Sequence, residues 1–136
     1  MIQILDERTL RFVEFLNTKY PTQETVKLSV LNGYDALTSD ETDDGGFAVY
    51  IPSMRTIMLP TEVPEDVVAL GDEELTRNFV IHNLAHEYGH FLQDIGLLDG
   101  FDDETIIEKV ADEFADKAVA EFETEERSKE KHNENL

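Results

Sequence analysis

NFVIHNLAHEYGHFL, residues 78–92, is the stretch on which the reading of this chain turns. It is apolar on most sides, as a helix passing through a core must be. It also contains His86-Glu87-Tyr88-Gly89-His90, with two histidines four residues apart. On a helix that spacing puts both imidazoles on one face, one turn apart, so both can reach a single ion. Two neutral nitrogen ligands suit zinc. Glu87 adjoins the first histidine and can face a water bound to that ion. The metal acidifies the water, and the carboxylate takes its proton as the water attacks a carbonyl. Gly89 removes a side chain where another element passes close. Chance also produces this pattern in a chain rich in glutamate, so the surroundings have to decide.

Two histidines and a water leave a zinc site one protein ligand short. Cysteine is absent, and the only histidine after the motif is His132 in a charged tail. A carboxylate remains. A last helix from roughly Asp103 to Glu123 would bury Ile107, Ala111, Phe114, Ala118 and Phe122 at about 100° per residue. Glu108 falls beside Ala115 and Val119, inside the edge of that apolar arc. A carboxylate turned inward needs a partner, and a metal ion supplies one. Asp112, one turn on, can accept the N–H of a ligand histidine and fix its tautomer. The alternative is a solvated acidic helix with Glu108 at a tolerated boundary. His82 lies one turn before His86, but three histidines along a straight helix span about 12 Å, too far for one ion. It reads as a partly buried structural histidine.

Outward from the motif, Asp72 can cap the central helix, which runs to about Gly96. Upstream, residues 6–20 read as a helix with Leu10, Val13, Leu16 or Phe12 and Tyr20 near helical spacing, ended by Pro21. VKLSVL, residues 26–31, alternates as a strand does, and Asn32-Gly33 marks a turn. Asp35 to Gly46 holds five acids and no base and reads as a loop. Asp40, Thr42, Asp44 and Gly45 faintly resemble a calcium loop, but Ile51 stands where the closing Glu is required. Phe47–Ile51 and Thr56–Leu59 form a hairpin, with Pro52 and Pro60 at the strand ends. A short helix follows in PEDVVAL, stopped by Gly71. The expected fold is α+β: a sheet of about three strands packed by the N-terminal helix and two ligand-bearing helices. Residues 1–123 make one domain, and 124–136 are a charged tail without apolar periodicity, expected to be frayed or disordered.

At 136 residues the chain suffices for one domain. Its 31 acidic and 11 basic side chains leave a formal charge of −20. Nucleic acid and anionic membranes would be repelled, whereas a metal cation or a basic protein is complementary. Without cysteine there are no disulfides, thiolate sites or cysteine nucleophiles. The N-terminus MIQILDERTL is no secretory signal, and no apolar run approaches 18 residues. A cytoplasmic location is the expectation.

His86-Glu87-x-x-His90 followed by Glu108-x-x-x-Asp112 resembles the gluzincin metallopeptidases, the thermolysin-like class of zinc enzymes. The resemblance implies that His86, His90 and Glu108 bind one zinc ion per chain. It implies that Glu87 is the general base and that Asp112 supports the ligands from behind. Within the class the chain is most similar to the small ImmA/IrrE-type metallopeptidases, which have a hairpin, an HELGH-like helix and a later helix of the form ExEAnxFA. Their counterparts here are GFAVYIPSMRTIML, LAHEYGHFLQ and EKVADEFAD. Glu108, Ala111, Phe114 and Ala115 match the last pattern, Val110 departs from its usual acid, and Asp112 replaces its usual Asn. The resemblance spans roughly residues 47–118. It implies a single metallopeptidase-like domain over residues 1–123 with a minimal zincin-like fold, and hydrolysis of peptide bonds in specific protein substrates.

Such chemistry also needs an electrophile beside the metal. Tyr50, Arg55, Tyr34 and His82 are candidates, while Tyr88 points away on the helix wheel. The strand Thr56–Leu59 can pair with an extended substrate or serve as ordinary sheet. Two rival functions fit the composition: an acidic binding protein that mimics nucleic acid, and a zincin fold that binds zinc without catalysis.

Overall fold

The computed structural model describes residues 7–20, 22, 24–31, 37–39, 44–46, 48–60 and 65–134. In chain order the elements are α1 (Glu7–Lys19), β1 (Lys27–Leu31), β2 (Leu37–Ser39), β3 (Asp44–Gly46), β4 (Val49–Ile51), a 3-10 turn (Pro52–Met54), β5 (Thr56–Pro60), α2 (Glu65–Val68), α3 (Glu73–Asp94) and α4 (Ile107–Glu134). The fold is α+β, with four helices and a small three-stranded mixed sheet among the described residues.

Aromatic bulk sets the face of α1. It buries Thr9, Phe12, Phe15 and Leu16 and leaves Leu10 53% exposed, so the stripe through Leu10 is not the packed one. Phenylalanine rings bury more area and pack edge-on. Phe12 and Phe15 lie 5.0 and 5.6 Å from the ring of Phe122 on α4.

The sheet has the order β1-β5-β4. β5 pairs in parallel with β1, Lys27 opposite Thr56, and antiparallel with β4, Tyr50 opposite Ile57. The expected hairpin is therefore present as β4 and β5. Pro52 opens its turn with the φ its ring fixes, and Arg55 closes it at φ 45°, ψ 50°. β5 is the central strand, with Ile57 and Leu59 fully buried. Both of its edges are taken, so Thr56–Leu59 is ordinary sheet and cannot receive an added strand.

The acidic segment Asp35–Gly46 is not all loop. β2 and β3 pair antiparallel, Leu37 opposite Gly46 and Ser39 opposite Asp44. Main-chain groups make that ladder, which is why a reading of side-chain character passes over it. The Asn32-Gly33 turn, Tyr34, Asp40, Thr42 and Phe47 lie outside the described residues.

α3 runs through the core and buries Val80, Ile81, Leu84, Ala85, Tyr88, Phe91 and Leu92. It ends where Gly96 takes φ 84° and the Leu97 N–H donates to Leu92 O at 2.8 Å, a Schellman closure. α4 packs along it and buries Ala111, Phe114, Ala115, Ala118, Val119 and Phe122. Gly89 makes the close approach possible, since a Cβ there would meet Phe114 Cδ1 at 3.2 Å and Ala111 Cα at 3.3 Å.

α4 differs from expectation at both ends. Asp103 Oδ1 accepts the N–H and the hydroxyl of Thr105, and this turn delays regular helix to Ile107. The helix then continues past Glu123 to Glu134. Glu, Lys and Arg are good helix formers without an apolar stripe. Arg127 reaches Glu123 at 3.5 Å within α4, and Arg11 of α1 reaches Glu126 at 3.0 Å. Among the described residues no helix is long and apolar enough to cross a membrane.

Candidate metal centre

Ascending α3 from His82 to His90 meets α4 descending from Asp116 to Glu108. His82 Nε2 lies 2.9 Å from Asp116 Oδ1. His86 Nδ1 lies 2.7 Å from Asp112 Oδ1, and its Nε2 lies 2.9 Å from Glu108 Oε2. His90 Nε2 lies 3.2 Å from Glu108 Oε1. Its Nδ1 meets the side-chain carbonyl of Gln93 at 2.8 Å. The two rings of the motif sit 4.7 Å apart at 89°. His90 is fully buried, and Glu108 closes the cluster from the solvent side with half its side chain exposed.

The partners behind the two rings bear on their tautomers. An ionised carboxylate and an amide oxygen only accept, so Asp112 and Gln93 place a proton on each Nδ1. In a neutral imidazole Nε2 is then a bare lone pair. With both rings neutral, two such lone pairs would face the two oxygens of one carboxylate. Four electron-rich atoms at these distances repel unless a positive charge lies among them. Nitrogen, nitrogen and oxygen donors suit a divalent metal ion.

Glu87 completes the group. Ligand atoms of His86, Glu87 and His90 all lie within 4.8 Å of one another, a set that could hold a metal ion. Glu87 is only 3% exposed, and its Oε2 accepts the main-chain N–H of Tyr50 at 2.8 Å. The Tyr50 hydroxyl donates to Asp94 Oδ2 at 2.6 Å. One residue of β4 is thus fastened to α3 at two points two turns apart, and the hairpin borders the cluster.

The electrophile candidates separate. The Tyr50 ring is fully buried and committed to Asp94. Arg55 is ion-paired with Glu24 and lies 3.9 Å from Asp94. His82, more exposed, is held by Asp116. Tyr88 is core: burial and the nearby Tyr20 push its hydroxyl up to about 12, and it faces Asn17 at 3.4 Å. Tyr34 lies outside the described residues. A cavity of about 380 Å³ between α1 and α4, with Phe15 and Phe122 in its wall, includes none of the motif residues.

Gln93 and Asp94 are the contributors that the motif does not announce. Their only sequence signal is position: Gln93 falls three residues after His90, on the same face. Comparison of the chain with protein-family models, with curated proteins and with solved structures finds no match.

Proposed function

We propose that this chain is a zinc metallopeptidase of the gluzincin class with a minimal zincin-like fold, most similar to the small ImmA/IrrE-type enzymes. The observation that supports the reading is the pair of Nε2 atoms turned to the two oxygens of Glu108 at 2.9 and 3.2 Å, with both Nδ1 atoms engaged behind them. His86, His90 and Glu108 would hold zinc, which when bound supplies a Lewis acid for water and for the substrate carbonyl. Asp112 and Gln93 orient the two rings from behind. Glu87 is the general base. It takes a proton from the attacking water and delivers it to the amide nitrogen as the C–N bond breaks, so the carboxylate ends unchanged. The Tyr50 N–H steadies that carboxylate. A chain of formal charge −20 raises the encounter rate of basic proteins, which makes them the substrate class. The cytoplasm, where such substrates abound, is the location that goes with this reading.

One observation favours a second reading. Glu87 is 3% exposed and hydrogen-bonded to the main chain, which suits a protein that binds a metal ion without turnover.

Elemental analysis tests both. The wild-type protein carries about one zinc per chain, and His86→Ala,His90→Ala carries none. Glu87→Gln keeps the zinc and cleaves a mixture of basic proteins at least about 10²-fold more slowly. Full activity in Glu87→Gln sinks the mechanism. Zinc without any cleavage supports the second reading, and zinc retained by the double variant ends both.

A further inference from the structure

We infer that Gln93 is a positioning residue: its side chain sets His90 as an Nε2 ligand and ties it to the start of α4, next to Glu108. The inference rests on the metal-binding reading above. Gln93 is 3% exposed. Its oxygen accepts from His90 Nδ1 at 2.8 Å. Its nitrogen donates to two carbonyls, Asp99 O at 2.9 Å and Ile107 O at 3.1 Å. Both hydrogens of the amide are thereby used.

The two carbonyls decide which way the amide faces. Neither can donate, so the NH₂ group must point at them and the oxygen at His90. That oxygen can only accept, so the ring carries its proton on Nδ1 and presents Nε2 to Glu108. Histidine ligands are commonly fixed in this way by a carboxylate or a main-chain carbonyl. Here a neutral amide does it, which adds no further negative charge behind the ring.

The other end of Gln93 reaches the second ligand helix. Ile107 is the first residue of α4, and Glu108 is the next. One side chain therefore joins the second histidine to the turn that carries the acid. The loop between the helices is shaped around it. Gly100 adopts φ +105°, and a Cβ there would meet Gln93 Nε2 and Ile106 Cγ1, each at 3.2 Å. A glutamate at 93 would keep one oxygen as the acceptor for His90 but turn its other oxygen toward both Asp99 O and Ile107 O. A methionine would lose the acceptor and both donors while keeping the length.

Gln93→Met and Gln93→Glu separate these functions. Nitrogen NMR of the metal-free protein reads the His90 tautomer. Competition with a chelator reads zinc affinity, and thermal melting reads the fold. The wild-type protein shows His90 protonated on Nδ1. Gln93→Met loses that preference and binds zinc roughly 10- to 100-fold more weakly. Gln93→Glu retains the tautomer and loses less affinity. A merely structural Gln93 would lower the melting temperature in both variants and leave tautomer and affinity unmoved. The inference is overturned if folded Gln93→Met keeps zinc affinity within about twofold of wild type. Should Gln93→Met fail to fold, wild-type His90 protonated on Nε2 overturns it alone. A wild-type protein that binds no zinc overturns the metal reading and this inference together. Zinc binding with unaltered Gln93 variants overturns this inference only.

Discussion

The two halves of α4 use the same residue type to different ends. In the first half Glu108, Asp112 and Asp116 face His86, His90 and His82. In the second half Glu121, Glu123 and Glu126 face Lys19, Arg127 and Arg11. Lysine and arginine bring a permanent positive charge, so the second set is neutralised by the protein itself. Histidine brings a lone pair as readily as a proton. The first set gathers acceptors without a fixed cation, an arrangement that could hold a metal ion. One helix thus turns one kind of side chain to fixed cations in one half and to imidazoles in the other.

The largest expected break is in the first half. Glu108→Ala removes both oxygens facing the histidines, and zinc affinity falls by more than the roughly 10- to 100-fold loss expected for Asp112→Ala. Glu126→Ala, the matched change in the second half, leaves affinity unchanged. Chelator competition on the three proteins checks the order, and equal losses from Glu108 and Glu126 would erase the contrast.

Gly89→Val attacks the contact between α3 and α4 instead of the charges. Its branched side chain must displace Phe114 or Ala111. It should cost about 1–3 kcal/mol in urea unfolding and weaken metal binding by moving Glu108 outward. Normal stability and normal affinity together would show that the helices need no such closeness.

Arg11→Ala probes the second half alone. Its ion pair with Glu126 is half exposed, so the cost should stay within about 1 kcal/mol and shrink further in salt. A larger loss would mean that the guanidinium packs against the helix as well as pairing.

The smallest effect concerns the entry to α4. The Thr105 hydroxyl and N–H hold the Asp103 carboxyl below its usual 3.8. A lowered acid contributes stability above its unfolded value and loses it as pH falls through the folded one. Asp103→Asn should therefore lower stability slightly near neutrality, where the contribution is fully present, and flatten the acid limb below about pH 4, where wild type loses it as well. An unaltered acid limb would remove Asp103 from the account.

What could be read in advance was whatever repeats. The apolar spacing of Ala111, Phe114, Ala118 and Phe122 and the four-residue interval of His86 and His90 follow from helix geometry, and α3 and α4 display them. The β4–β5 hairpin follows from prolines and alternation. Choices among similar side chains were not legible: Phe12 and Phe15, not Leu10, face the core because of what α4 offers them. Nor were features made by the main chain, such as the β2–β3 ladder and the carbonyls of Asp99 and Ile107 that orient Gln93. Residues past Glu123 lack an apolar stripe, and their helix is held by pairs that become visible only when α1 lies alongside.

The fastening of Tyr50 to α3 also bears on how the molecule avoids its own kind. β4 is the outer strand of its sheet among the described residues, and outer strands ordinarily template aggregation through their unused amides. The Tyr50 amide is occupied by Glu87 from the same chain. A second molecule trying to extend the sheet there would have to expel a buried carboxylate first, and the amide proton of Tyr50 should exchange with solvent slowly for an edge position.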